Sequence, residues 1–272
     1  MTRLMDFLRR SALTILTLTL LFTISQCSVK EDRSLCPCRL FFDYSALLSD
    51  ERIAGEGNLV TESVVSDSEG NVAGRLVCDG GTSSAELILP RGKYLTTTVI
   101  YDSQKISSEG GSLRQIPATG DFILLGESSW ADASGESAFC APLPYKQFIR
   151  LTVHFANPVS DLQVSLSIPS GAVSAATLEG ENSACRISRT VSSDKVTFHI
   201  LRQLSNDISL SFGSALKSGE IAEIRLYDAL TKSGFDPEAK NLNDIDIYAD
   251  IHSLTISLCV NGWQSETINM IF

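Results

Sequence analysis

Seven cysteines carry most of the chemistry that can be read from this sequence. Cys27 stands alone at the end of an apolar run. Cys36-Pro37-Cys38 follows a short polar stretch, and Cys78, Cys140, Cys185 and Cys259 lie scattered through the rest. A thiol can take an acyl group, pair with a second thiol, or ligate a soft metal. Structural zinc asks for a Cys-x(2–4)-Cys pair matched by a second one, and no such set exists here, so no metal site is expected. Cys36 and Cys38 could join each other only through a tight, strained ring. Cys140 is therefore a candidate disulfide partner for this pair, while sequence alone leaves the pairing open.

The segment before Cys27 reads as an address label, a signal peptide over residues 1–26. Its first ten residues hold Arg3, Arg9 and Arg10 against Asp6, and Ser11–Ile24 is an apolar stretch too short to span a bilayer comfortably. Ile24-Ser25-Gln26-Cys27 resembles the lipobox of bacterial lipoproteins, although Gln26 stands where that pattern prefers Gly, Ala or Ser. The resemblance implies that the Cys27 thiol takes a diacylglycerol, that the preceding peptide is cut, and that the new amine is acylated. Two or more acyl chains make a stable anchor, since each buried CH₂ contributes roughly 0.8 kcal/mol. The competing reading is an ordinary signal peptide with Cys27 as a disulfide partner. Residues 27–38, beginning with the polar SVKEDRS after Cys27, form a tether that ends in Cys-Pro-Cys.

The elements that must carry these thiols are strands. Ile149, Leu151, Val153 and Phe155 alternate with Arg150, Thr152 and His154. Leu162, Val164, Leu166 and Ile168 repeat the period, as do Val196, Phe198 and Ile200, then Ile208, Leu210 and Phe212, then Leu254, Ile256, Leu258 and Val260. One apolar and one wetted face per strand predicts antiparallel sheets packed as sandwiches, an all-β protein. Arg39–Tyr44 is the first strand, and the only helical candidate is a short piece around Ser45–Arg52. The two prolines of APLPYKQ, Ala141 to Gln147, mark a boundary between an N-terminal sandwich over 39–145 and a C-terminal one over 146–272, each of ordinary domain size. The terminal run Thr267–Phe272 either closes its own sheet or serves as a donor strand for a neighbour.

Charge and motifs exclude several function classes. Formal net charge is −10; residues 1–26 contribute +2, so a chain starting at Cys27 carries −12. Such a body repels phosphate backbones, and no basic stripe with interleaved aromatics offsets that, so nucleic acid is not an expected partner. No serine elbow, zinc-protease helix or phosphate loop occurs, and no cofactor is expected. His154 and His199 fall on polar strand faces. NLNDIDIYADI concentrates acids and amides but lacks the spacing of a calcium loop. The chain reads as a non-enzyme.

SVKEDRSLCPCRLFFDYS, directly after the lipobox cysteine, resembles the opening of the fimbrial anchor lipoproteins of Bacteroidales. ELILPRGKYLTTTVIYD is similar to that family's proline-glycine-tyrosine hairpin, and LTISLCVNGWQSETINMIF to its final strands. The resemblance implies two transthyretin-like antiparallel β-sandwich domains in tandem, belonging to a type V fimbrial subunit. It implies an anchor, lipidated at Cys27, that joins fimbrillin subunits of the same fimbrium by β-strand complementation, fixes the fimbrium to the cell outer membrane at the surface, and limits its length. Polymerising members of the family lose their N-terminal segment to an arginine-directed protease, and Arg33 precedes the first strand here. The alternative is a surface lipoprotein that binds glycans through exposed aromatics such as Trp130 and Trp263.

Overall fold

Alternation of buried and more exposed side chains sets up Pro37–Asp43, Ser84–Pro90 and Lys195–Leu201, whereas Leu59–Ser66 and Gly92–Asp102 are buried over most of both faces. The computed structural model describes residues 35–106, 115–117, 119–120, 123–157, 161–203, 205–214, 220–250, 255–260, 263–264 and 268–269. Cys27, Arg33 and His252 lie outside them. The first lobe is built from β1 (Pro37–Asp43), β2 (Leu59–Ser66), β3 (Val72–Asp79), β4 (Ser84–Pro90), β5 (Gly92–Asp102), β6 (Gln115–Pro117), β7 (Leu124–Ala133) and β8 (Ser137–Cys140). Its two sheets run in the orders β4-β1-β8 and β3-β2-β5-β7. Cys38, Leu40 and Phe42 of β1 point into the core, while Arg39, Phe41 and Asp43 point out.

The second lobe uses β9 (Phe148–Phe155), β10 (Leu162–Ile168), β11 (Ala172–Ser174), β12 (Cys185–Thr190), β13 (Lys195–Leu201), β14 (Ser209–Ser214), β15 (Glu220–Arg225) and β16 (Ile245–Asp250). To these it adds β17 (Thr255–Val260), β18 (Trp263–Gln264) and β19 (Ile268–Asn269). The sheets are β12-β10-β14-β15 and β13-β9-β16-β17-β18, with β19 also on β17. Ile149, Leu151, Val153 and Phe155 are buried, as are Leu162, Val164, Leu166, Ile168, Val196, Phe198 and Ile200. Of the terminal run, Ile268 and Asn269 pair with Ile256 and Thr255 of their own sheet; Thr267 and residues 270–272 lie outside the described set.

The two lobes repeat one plan. β1 pairs antiparallel with β4 and parallel with β8; β9 pairs antiparallel with β13 and parallel with β16. β2 lies between β3 and β5, with β7 beyond β5; β10 lies between β12 and β14, with β15 beyond β14. Period-2 patterning reports faces, not strand direction, so the parallel pair in each lobe has no signal in the sequence.

Local chemistry explains the turns. Asp67 Oδ1 accepts from the Glu69 and Asn71 amides at 2.9 Å, and Gly70 takes φ +86°, which closes the β2–β3 connection. Pro90-Arg91-Gly92 does not make a hairpin. β4 pairs with β1 whereas β5 pairs with β2 and β7, so the chain changes sheets at this corner. Tyr94 Oη donates to the Pro90 carbonyl at 2.7 Å and pins it. The expected helix is α1 (Ser45–Leu48) followed by a 3₁₀ turn, Glu51–Ile53. A second helix, α2 (Tyr227–Lys232), was not anticipated: it is one and a half turns long, and no side chain caps it. Gly234 at φ +74°, just past its end, is the signal that could have found it.

The lobes are tied by β6, which pairs antiparallel with β11, and by Gln147, which sits in a polar cluster where the two prolines lead into β9. Asp244 accepts from the Lys146 ammonium, from the Arg150 amide at 2.7 Å and from the Arg150 guanidinium at 2.9 Å. Arg202 donates to Gln147 Oε1 at 2.9 Å and to the Pro237 and Ala239 carbonyls at 2.7 Å, and Gln147 Nε2 reaches the Gly126 carbonyl at 2.8 Å. Only glycine fits at position 126, because a Cβ there would sit 2.1 Å from the Thr98 carbonyl oxygen.

Candidate functional site

Three features could engage another molecule: the thiols, a cleft, and the sheet edges. Cys38 is buried, and Cys36 and Cys140 are half-buried; all carry free thiols. Parallel register sets Cys140 beside Phe42, so strand pairing does not place it against Cys38. Burial pushes the Cys38 thiol up, partly countered by the Arg91 charge, and burial likewise raises Cys140. Thiols held protonated in this way are poor nucleophiles and poor ligands. No cluster of three or more metal-binding side chains occurs among the described residues.

A cavity of about 480 Å³ opens beside the junction, lined by Glu127, Tyr145, Gln147, Leu178, Arg202 and Lys240 among others. Its charges largely answer one another: Lys240 Nζ stands 3.2 Å from Glu127 Oε1 and over the Tyr145 ring. Buried Leu178 takes the left-handed φ of +59° at its wall. His154 lies on the outer face of β9, where its Nε2 meets Asp246 Oδ1 at 2.9 Å and its ring stacks on Tyr248 at 4.8 Å. His199 stacks on Phe148. Of the acidic stretch, Ile245–Asp250 is a central strand of its sheet.

The edges differ. Sheet β13-β9-β16 continues through β17, which pairs with β16 from Ile245↔Val260 to Asp250↔Thr255. In the first lobe, β8 pairs with β1 and with no further strand among the described residues. Its outward Phe139 is 81% exposed and stacks on Phe41 at 5.2 Å. Ile88, diagonal to Phe41 on the same face, is 60% exposed. Phe139 faces away from the less exposed Ala138 and Cys140, and that no described strand neighbours it is a tertiary fact.

No protein-family model matches the chain, and no curated protein matches it in sequence. Solved structures do match. Against the fimbrial anchor protein Mfa2 of Porphyromonas gingivalis the TM-score is 0.52 at 14% identity, covering 86% of this chain and 100% of that one. The chain shares that fold. A Bacteroides thetaiotaomicron protein, provisionally described as polysaccharide-binding, gives 0.54 at 16% identity over 84% of this chain and 98% of its own. A provisionally described adhesin of Bacteroides ovatus gives 0.52 at 13% identity, over 87% and 96%. The tandem β-sandwich architecture expected from the sequence is thus the fold this chain shares with these structures.

Proposed function

We propose that this chain is a non-enzymatic fimbrial subunit, anchored in the outer membrane by lipid on Cys27, that holds a fimbrium at the cell surface and limits its length. The observation that carries the reading is the fold shared over the full length of Mfa2, met in a chain whose Cys27 follows a lipobox-like segment. The body divides at Ala141–Gln147, with residues 27–38 as its tether. It joins fimbrillin neighbours by β-strand complementation, in which an extended segment satisfies unpaired edge groups and covers apolar surface together.

The test is Cys27→Ala with mass spectrometry of the mature N-terminus. The wild-type chain should start at an acylated Cys27, and the variant should appear in the medium together with the fimbriae it holds. Unchanged membrane retention of the variant would remove the anchor role. A glycan-binding surface lipoprotein is the second reading, favoured by Trp130, which is 63% exposed. Glycan-array binding abolished by Trp130→Ala, with fimbriae unaffected, would favour it.

A further inference from the structure

The repeated plan of the two lobes makes one of them a template for the other. In the second lobe, β9 and β16 form a parallel pair, and β17 lies antiparallel on the far edge of β16. In the first lobe, β1 and β8 form the equivalent parallel pair, and among the described residues nothing occupies the place of β17.

The backbone at that edge is prepared for a partner. The Arg39 amide donates to the Glu136 carbonyl at 2.9 Å, so Glu136 and, by alternation, Ala138 turn their peptide groups toward β1. Ser137 and Phe139 turn theirs outward. The same alternation holds in the second lobe, where the Ala156 amide takes the Ala249 carbonyl and Asp246 and Tyr248 face away from β9. There those outward groups are met by β17, with Cys259 opposite Asp246 and Ser257 opposite Tyr248. The side chains repeat as well. Phe139 stacks on Phe41 across β8 and β1, as Tyr248 stacks on His154 across β16 and β9. Tyr248, beside a filled edge, is 46% exposed; Phe139, beside an edge that no described strand fills, is 81% exposed.

We infer that the outer edge of β8 is the acceptor for an added strand, laid antiparallel with β1 still in place. The occupant is an extended segment of a neighbouring chain that is apolar on both faces. Its inward residues extend the row formed by Ala138 and Cys140, and an aromatic or β-branched residue on its outer face covers Phe139 and Phe41. Apolar surface on the outer side distinguishes this edge from β12, whose outward positions Arg186, Ser188 and Thr190 are polar. Edge strands are normally blunted by charge; β8, with sequence SAFC, carries none.

This inference rests on the complementation proposed above and names its site. The experiment uses the full chain from residue 27 and a labelled synthetic peptide of the strand that fills the equivalent place, Thr255–Val260, with Cys259 replaced by serine and terminal lysines for solubility. A second peptide carries phenylalanine at position 257. Binding is followed by anisotropy, and amide exchange locates it. The expected result is saturable binding, tighter for the phenylalanine peptide, with exchange across 137–140 slowed at least tenfold and exchange across 185–190 unchanged. Phe139→Ser should weaken binding about tenfold, and Phe139→Pro, which removes an outward N–H, should abolish it. The serine variant keeps the test valid if the proline variant fails to fold. Protection at 185–190 instead, absence of binding at millimolar peptide, or concentration-dependent self-association that buries Phe139 would each overturn the assignment. Release of the Cys27→Ala chain bears on the anchor reading independently, so the two can fail separately.

Discussion

The two lobes share a strand plan but are filled with different chemistry. Between the sheets of the second lobe, the described inward positions of β9, β10, β13 and β16 are Ile149, Leu151, Val153, Phe155, Leu162, Val164, Leu166, Ile168, Val196, Phe198, Ile200, Ile245, Ile247 and Ala249. No polar side chain interrupts them. Between the sheets of the first lobe, Tyr44 Oη lies 3.0 Å from Ser63 Oγ, and Ser63 Oγ 2.8 Å from Thr98 Oγ1. Thr61 Oγ1 is buried there without a hydrogen-bond partner among the described residues. Burial pushes the Tyr44 phenol up to about 12, against the opposing bond from Ser63. A hydrogen bond contributes roughly 1 kcal/mol net, whereas each buried methylene contributes about 0.8 kcal/mol without needing a partner. The described interior of the first lobe is thus held in part by directional hydrogen bonds, where that of the second is held by apolar burial.

The largest expected effect breaks the apolar core. Phe198, buried in β13, pairs across the sheet with Leu151. Phe198→Ala should cost about 3–5 kcal/mol through lost burial and the cavity left behind. Trp130 lies on β7 and Trp263 on β18, so single-tryptophan variants give each lobe its own reporter in urea titrations. The Trp263 transition should move to lower urea by more than the Trp130 transition. Equal movement of both would mean that the junction makes the lobes one cooperative unit.

How much of this contrast could be read beforehand follows from what periodicity measures. Alternation from Phe148 onward gave the faces of the second lobe residue by residue, because each inward position is a large apolar side chain. Thr96, Thr97 and Thr98 of β5 gave no such signal, yet all three are buried: both faces of that strand are covered, and hydroxyls are satisfied across the sheet, as Thr97 Oγ1 is by Ser128 Oγ at 2.9 Å. Glu62 is a sharper case. It is 1% exposed and accepts from Arg75 on β3 and from Tyr101 on β5, a set brought together only by register. His154 was expected on a polar face and lies there, but its partner Asp246 is far away in sequence and comes from the parallel neighbour. Cys259 alternates with Leu258 and Val260 along β17, and it is half-buried between those two buried neighbours.

An intermediate effect tests the charged cluster at the start of the second lobe. Burial alone would raise the Asp244 carboxyl, but bonds from Lys146 and Arg150 more than offset it, so its pKa is held below the usual carboxylate range. The stabilisation is therefore complete above the unfolded value near pH 4 and is lost as pH falls through the lower folded value. Asp244→Asn should cost about 2 kcal/mol at pH 7, since charge-assisted bonds are replaced by neutral ones with one partner reversed. The deficit should start to shrink below about pH 4, where the carboxyl of the unfolded wild-type chain takes a proton while the folded one stays ionised to a lower pH. Urea titrations of both proteins at pH 7 and pH 3 measure this. A deficit independent of pH would show that the carboxylate charge contributes nothing to that cluster.

The smallest effect isolates what sets the first lobe apart. Tyr44→Phe keeps the ring buried beside Phe42 and removes only the hydroxyl, so Ser63 keeps Thr98 as a partner. The expected cost is about 1 kcal/mol, and Ser63→Ala should cost a similar amount while leaving the Tyr44 hydroxyl unpaired in the core. The double variant leaves one chain member, Thr98, instead of an interrupted row. If the Tyr44–Ser63 bond acts as a unit, the double should cost less than the two singles together, by an interaction energy of about 0.5–1 kcal/mol. Strict additivity would mean that each hydroxyl acts through its own surroundings, and that the polar row arises from threonine-rich strands without specific coupling. The same pair of changes should leave the Trp263 transition where it was, because no member of the row belongs to the second lobe. A shift there of equal size would erase the distinction between a polar-seamed lobe and an apolar one as separate sources of stability.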